Sequence, residues 1–171
     1  VTYNLTRVTA ETLLDVLADA PKEFGVFSID IDGIDYYVVA EMLKAGYRPK
    51  IAVVEYNASW GSEEAVAVAY NPDFMWQRDN YFSASLQAWV NLFAVYGYGL
   101  VGCESVGADA FFQQGMSVIP ASEGFRPPAY GNGRGHKPSR FRPVPVDPPK
   151  KPRKRRTRKK RTSKKATSES P

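Results

Sequence analysis

Apolar positions in the first 115 residues follow two periods, and the switches between them mark out an α/β order. Val1 to Leu5 alternates apolar and polar residues as a half-buried strand does. Thr9 offers an N-cap to a helix carrying Leu13, Leu14, Val16 and Leu17, ended by Pro21. A first continuous apolar run, Val26 to Ile29, ends in Asp30-Ile31-Asp32-Gly33-Ile34-Asp35, and a second, Ile51 to Val54, ends in Glu55-Tyr56-Asn57. Between them Tyr36 to Ala45 has helical spacing, with Gly46 as its stop. A strand, helix, strand unit closes with parallel strands, which brings both acidic ends to one edge of the sheet, where open α/β sheets hold ligands.

The remaining pattern predicts a long aromatic connection from Ala58 to Asn80, then a helix capped by Ser83 with Leu86, Val90, Phe93 and Ala94 on one face and Gly97 as its stop. Tyr98 to Glu104 and Asp109 to Gln113 read as an antiparallel hairpin. Val26, Phe27, Ile29 and Ile31 are apolar on both faces, so an unpaired edge there predicts self-association or a partner that completes the sheet.

Charge divides the chain. Residues 1–115 hold 6 Lys or Arg against 15 Asp or Glu, a net of −9, whereas 116–171 hold 17 against 3, a net of +14. The acidic part has the aromatic and branched apolar residues of one small domain. Residues 116–149 read as a Pro/Gly/Arg-rich linker and 150–171 as a disordered polybasic tail. Lys150, Lys151, Arg153, Lys154, Arg155, Arg156, Arg158, Lys159, Lys160 and Arg161 would neutralise many phosphates, giving salt-sensitive binding of nucleic acid or another polyanion, or a nuclear import signal in a eukaryotic cell. No run is long and apolar enough for a membrane span, which places the protein in the cytoplasm. Cys103 reads as a small buried hydrophobe, and His136, inside the expected linker, as non-catalytic.

Ser28-Ile29-Asp30-Ile31-Asp32-Gly33-Ile34-Asp35-Tyr36, Val53-Val54-Glu55-Tyr56-Asn57, Tyr70-Asn71-Pro72-Asp73-Phe74, Tyr81 to Leu86 and Gly97 to Cys103 resemble, in order, the carboxyl-terminal half of FkbM-like S-adenosylmethionine-dependent methyltransferase domains. The resemblance covers about residues 1–114. It implies a truncated Rossmann-like sheet with helices on both faces, whose strands from Val26 and Ile51 are the fourth and fifth and whose terminal hairpin supplies the sixth and seventh. The family's glycine-rich cofactor turn and ribose-holding acid would fall upstream of Val1, so the resemblance extends to half of a cofactor site, with Asp30 on the cofactor side. Similarity to cation-dependent O-methyltransferases implies Asp30, Glu55 and Asn57 as Mg²⁺ ligands, a hard oxygen set that would orient an acceptor hydroxyl. Asp32 or Asp35 is then the candidate base.

Other readings remain open. Asp30, Asp32 and Asp35 also suit helix capping and Glu55 an ordinary strand end, while Asp30-Ile31-Asp32 matches the acidic element of metal-dependent glycosyltransferases. Gly33 lies too close to Asp30 for an EF-hand, and Gly131 to Gly135 follows no predicted strand, as a phosphate loop would require. Trp60, Tyr70, Phe74 and Trp76 suit either stacking on a ligand or packing on the sheet edge, and Trp89 packing.

Overall fold

The computed structural model describes residues 6–117 and 119–150. Its elements, in chain order, are α1 (Leu13–Val16), β1 (Glu23–Ile29), α2 (Asp35–Lys44), β2 (Arg48–Glu55), β3 (Val66–Ala67), α3 (Leu86–Val95), β4 (Tyr98–Cys103), β5 (Asp109–Gln114), α4 (Ala121–Gly124) and β6 (Val144–Pro145). The expected strand at Val1 to Leu5 and the basic residues from Lys151 onward lie outside the described residues.

Four strands form one mixed sheet in the order β1-β2-β5-β4. β1 and β2 are parallel with Ile29 opposite Val54, while β5 runs antiparallel to both of its neighbours, with Glu55 opposite Asp109. The parallel pair and the hairpin therefore stand as the sequence predicts. Gly46 and Gly97 end α2 and α3 at φ +90° and +84°, a region open to glycine without steric cost. The cap of α3 is Ser85 rather than the expected Ser83: Ser85 Oγ accepts the Ala88 N–H at 3.2 Å, while buried Ser83 donates to the Glu55 carbonyl at 2.7 Å.

The core is one-sided. Val38, Val39, Met42 and Leu43 of α2 and Leu86, Trp89, Leu92 and Phe93 of α3 bury fully in one cluster with Ala52, Val54, Ala110, Phe112 and Leu100 of the sheet. The two strand–helix–strand crossovers progress in one direction along the sheet, so connections of the usual right hand put both helices on one face, and α1 and α4 join that side through α2 and α3. The opposite face exposes Val26, Ile51 and Val101 at 61, 39 and 52%. Helices on both faces, as the resemblance implies, are thus not found among the described residues, and β1 is an open edge there.

Residues 119–150 correct the expectation of a linker. Tyr56 Oη donates to the Arg126 carbonyl at 2.7 Å, Ala129 N–H to Val106 at 2.8 Å, Asn80 N–H to Lys137 at 2.9 Å, and Ser139 N–H to Asn80 Oδ1 at 2.7 Å. β6 then pairs with β3. Proline and glycine content signalled a lack of helix and strand, but backbone groups anchored one by one to an existing domain order a segment that holds only the short α4 and β6.

Candidate functional site

The carboxyl ends of β1 and β2 deliver acids to one place. Asp35 begins α2, fully buried, and its carboxylate accepts the Ile31 N–H through Oδ1 and the Gly33 N–H through Oδ2, both at 2.9 Å. That bidentate staple folds residues 30–34 into a tight loop. Within it Asp32 takes φ +53°, a left-handed conformation that Asp tolerates better than most residues, and Gly33 lies so close to the Phe74 ring that an added Cβ would sit 2.6 Å from Cδ1. The loop leaves Asp30 and Asp32 exposed, and one carboxylate oxygen from each lies within 4.8 Å of the others and of one from Glu55.

No salt bridge among the described residues offsets the charges of this trio. Glu55 Oε2 is buried with no hydrogen-bond partner among the described residues. Burial first, then the charges of Asp30, Asp35, Asp32 and Asp109, push the Glu55 carboxyl up to about 9. Burial and the neighbouring Asp30 raise Asp32, and the same two causes, with Glu104, raise Asp109. The described residues hold one ion pair, Lys44 with Glu41 on α2, so no lysine or arginine salt-bridges these acids there.

Two predicted site residues are committed elsewhere. Burial raises the Asp35 carboxyl although its two amide partners work against that, and both of its oxygens are engaged, so it organises the loop and is not placed to act as a base. Asn57 is fully buried: Nδ2 donates to the Asn80 and Phe82 carbonyls, each at 3.0 Å, and Oδ1 accepts the Ser59 N–H at 3.1 Å, capping a 3₁₀ turn at Ala58–Trp60. It ties the long connection down, and Asp32 takes the place expected for it beside Asp30 and Glu55.

Sequence reading missed His136 and Tyr130. His136 packs among the rings of Trp76, Phe82 and Tyr130 at centroid distances of 4.8, 5.6 and 5.2 Å. Tyr130 Oη is buried without a partner of hydrogen-bond geometry, in the field of Glu55 and near Ser59. Their only sequence signal was compositional: a lone histidine and a tyrosine among glycines and prolines. Gly131 to Gly135 is no phosphate cradle, because the N–H groups of Gly133, Arg134 and Gly135 all point to the Tyr130 carbonyl.

The aromatic side chains divide between roles. Trp89 is fully buried and donates Nε1–H to the Glu55 carbonyl at 2.9 Å, and Tyr70 packs on Tyr37 and donates to Glu11. Trp60 packs edge-on to Tyr81. Phe74, with Ile31, Gly33, Ile34, Met75 and the backbone-anchored Arg7, lines a cleft of about 510 Å³ beside the acid loop. Burial pushes the half-buried Cys103 thiol up to about 11, as suits an unreactive cysteine. No family model, curated protein or solved structure matches the chain.

Proposed function

We propose that the chain is a methyltransferase-like α/β domain whose acidic sheet edge holds a divalent cation and, against it, an oxygen acceptor for O-methylation. The observation that carries this reading is the convergence of Asp30, Asp32 and Glu55 at the carboxyl end of a parallel strand pair, with one Glu55 oxygen buried and unpaired. Carboxylates crowded this closely disfavour their joint ionisation, and a divalent cation would relieve them at once. An all-oxygen donor set suits Mg²⁺ or Mn²⁺. Asp30, Asp32 and Glu55 would hold the ion, and the ion would lower the pKa of a bound hydroxyl.

The sheet order supports the methyltransferase part of the reading, since β5 enters antiparallel between β2 and β4 as the resemblance implies for the terminal hairpin. The cleft at Ile31, Gly33 and Phe74 adjoins the acid loop and is apolar enough for the acceptor's body. S-adenosylmethionine is the methyl donor that the resemblance implies. The residues described fit the cation and acceptor side of such a site, and of the donor side they supply only Asp30. When bound, the donor would supply a methyl group from its sulfonium and leave as a neutral thioether, and this chain's part would be to orient the acceptor oxygen and take its proton.

Calorimetric titration with S-adenosylhomocysteine, with and without Mg²⁺, tests the assignment. Micromolar binding strengthened by Mg²⁺ supports it. Mg²⁺ binding without the nucleoside would favour the glycosyltransferase-like reading of Asp30 and Asp32, to be followed with a sugar nucleotide. A second activity belongs to the basic run from Lys150 to Arg161: its deletion should abolish binding to a mixed-sequence DNA duplex, and unchanged binding would refute it.

A further inference from the structure

We propose that the outward face of α2 carries a second binding site, a cavity for a small organic cation with a methylated ammonium head. It is independent of the acid edge: the cavity, of about 430 Å³, shares no lining residue with the acid loop or with the cleft beside it. α2 buries Val38, Val39, Met42 and Leu43 in the core, so Tyr37, Ala40 and Glu41, at i, i+3 and i+4, share the opposite face. Such a stripe is ordinarily filled by charged and polar side chains. Here a tyrosine and an alanine leave a hollow that Ala10, Glu11 and Tyr70 close on its other sides.

Each wall is tied in place by the fold. Thr9 and Thr12 exchange hydrogen bonds, Thr9 N–H to Thr12 Oγ1 at 2.9 Å and Thr12 N–H to Thr9 Oγ1 at 3.3 Å, which fixes the turn that presents Ala10 and Glu11. Tyr37 Oη donates to the Val68 carbonyl at 3.0 Å, and Tyr70 Oη donates to the Glu11 carboxylate. Both phenol rings are thereby tethered at their far ends, with centroids 4.9 Å apart and planes inclined at 57°. Two inclined rings above the small side chains of Ala10 and Ala40 make a corner that a rounded head group can enter.

The charge of the corner selects the ligand. Of its two carboxylates, Glu41 is already matched, Lys44 Nζ holding its oxygens at 2.9 and 3.1 Å. Glu11 forms no ion pair among the described residues, and hydrogen bonds from Tyr70 and Thr9 hold its carboxyl below the ordinary value. One uncompensated negative charge therefore stands beside two aromatic rings, a combination that attracts a cation. A metal ion or a primary ammonium would demand several oxygen acceptors, whereas both phenol hydroxyls are spent as donors and the rest of the lining is alanine. A quaternary ammonium has no N–H to satisfy and presents its charge through methyl groups, which suits walls of this kind.

Choline and its uncharged isostere, in which a tert-butyl group replaces the trimethylammonium, probe the cavity in the full chain. Choline should bind saturably, its N-methyl proton resonance moving upfield under the Tyr37 and Tyr70 ring currents, and the isostere should bind about tenfold more weakly. Glu11→Gln keeps an acceptor for the Tyr70 hydroxyl while removing the charge, and should weaken choline about fivefold. Ala40→Leu fills the hollow with a strong helix former and should abolish binding in a chain that still melts cooperatively. Asp30→Asn with Glu55→Gln should leave choline affinity as in the parent; loss of binding there would move the ligand to the acid edge and overturn the inference. It is equally overturned if choline binding does not saturate, if the isostere binds as tightly as choline, or if neither Glu11→Gln nor Ala40→Leu lowers the affinity.

Discussion

The helix-covered face of the sheet and its carboxyl edge are built from the same strands and obey opposite rules. On the face, Val38, Val39, Met42, Leu43, Leu86, Leu92, Phe93 and Phe112 are fully buried, and the one polar ring atom of Trp89 finds the Glu55 carbonyl. At the edge, a few ångströms along β2, Glu55 keeps a buried oxygen with no partner, and three carboxylates share one small volume. The face leaves only the Tyr36 hydroxyl without a partner among its described side chains, whereas the edge sets three carboxylates against one another, so the electrostatic cost is concentrated where a ligand can offset it. The face holds the stabilising apolar burial, and the edge holds the crowded acids.

The largest effect that should separate the two regions is loss of a core ring. Trp89→Ala removes the centre of the α3 packing and should cost about 3 to 5 kcal/mol in chemical denaturation; an effect below about 1 kcal/mol would mean that the face is not the stabilising region. Asp35→Ala should follow, at about 2 to 3 kcal/mol, because the Ile31 and Gly33 amides lose their acceptor. That variant should also weaken Mn²⁺ binding by releasing the loop that carries Asp30 and Asp32.

Glu55→Gln should have the opposite sign. The Glu55 carboxyl is raised in the folded chain, from an ordinary value near 4.5 up to about 9, so the folded state binds the extra proton. Its contribution is fully present below about pH 4.5 and is lost as the pH rises towards 9. Melting curves should therefore fall with pH in the parent across that window and flatten in Glu55→Gln, which should melt higher than the parent at pH 8. A parent whose melting temperature rises over the same range would contradict an unrelieved acid edge. Tyr56→Phe should be milder, near 1 kcal/mol, loosening residues 126–139 at Arg126 with faster amide exchange at Ala129 and Lys137. Glu41→Gln, breaking an exposed pair on α2, should leave both stability and metal binding unchanged.

How much of this was legible in the sequence follows from the same contrast. The parallel pair, α2, α3 and the hairpin were readable because buried strands and amphipathic helices leave periodic apolar signals, and Gly46 and Gly97 stop the helices where positive φ is needed. That Asp30 and Glu55 meet was readable from topology alone. The roles of Asp35 and Asn57 were not, because a carboxylate that staples its own loop and one that binds metal have the same spelling. His136 was hidden for another reason: its placement depends on single hydrogen bonds to Asn80, Tyr56 and Val106, which impose no periodicity on the sequence. The uncovered face at Val26, Ile51 and Val101 was equally silent, since strands apolar on both sides look alike whether or not a second layer covers them.

The most direct test of the acid edge is calorimetric titration of the full chain with Mn²⁺ at neutral pH, beside the Asp30→Asn, Asp32→Asn and Glu55→Gln variants. Binding that saturates at a single site, releases protons on account of the raised Glu55 carboxyl, and weakens at least tenfold in each variant is the predicted result. No saturable binding, or binding that none of the three substitutions alters, would contradict the account and leave the convergence of these carboxylates without a function.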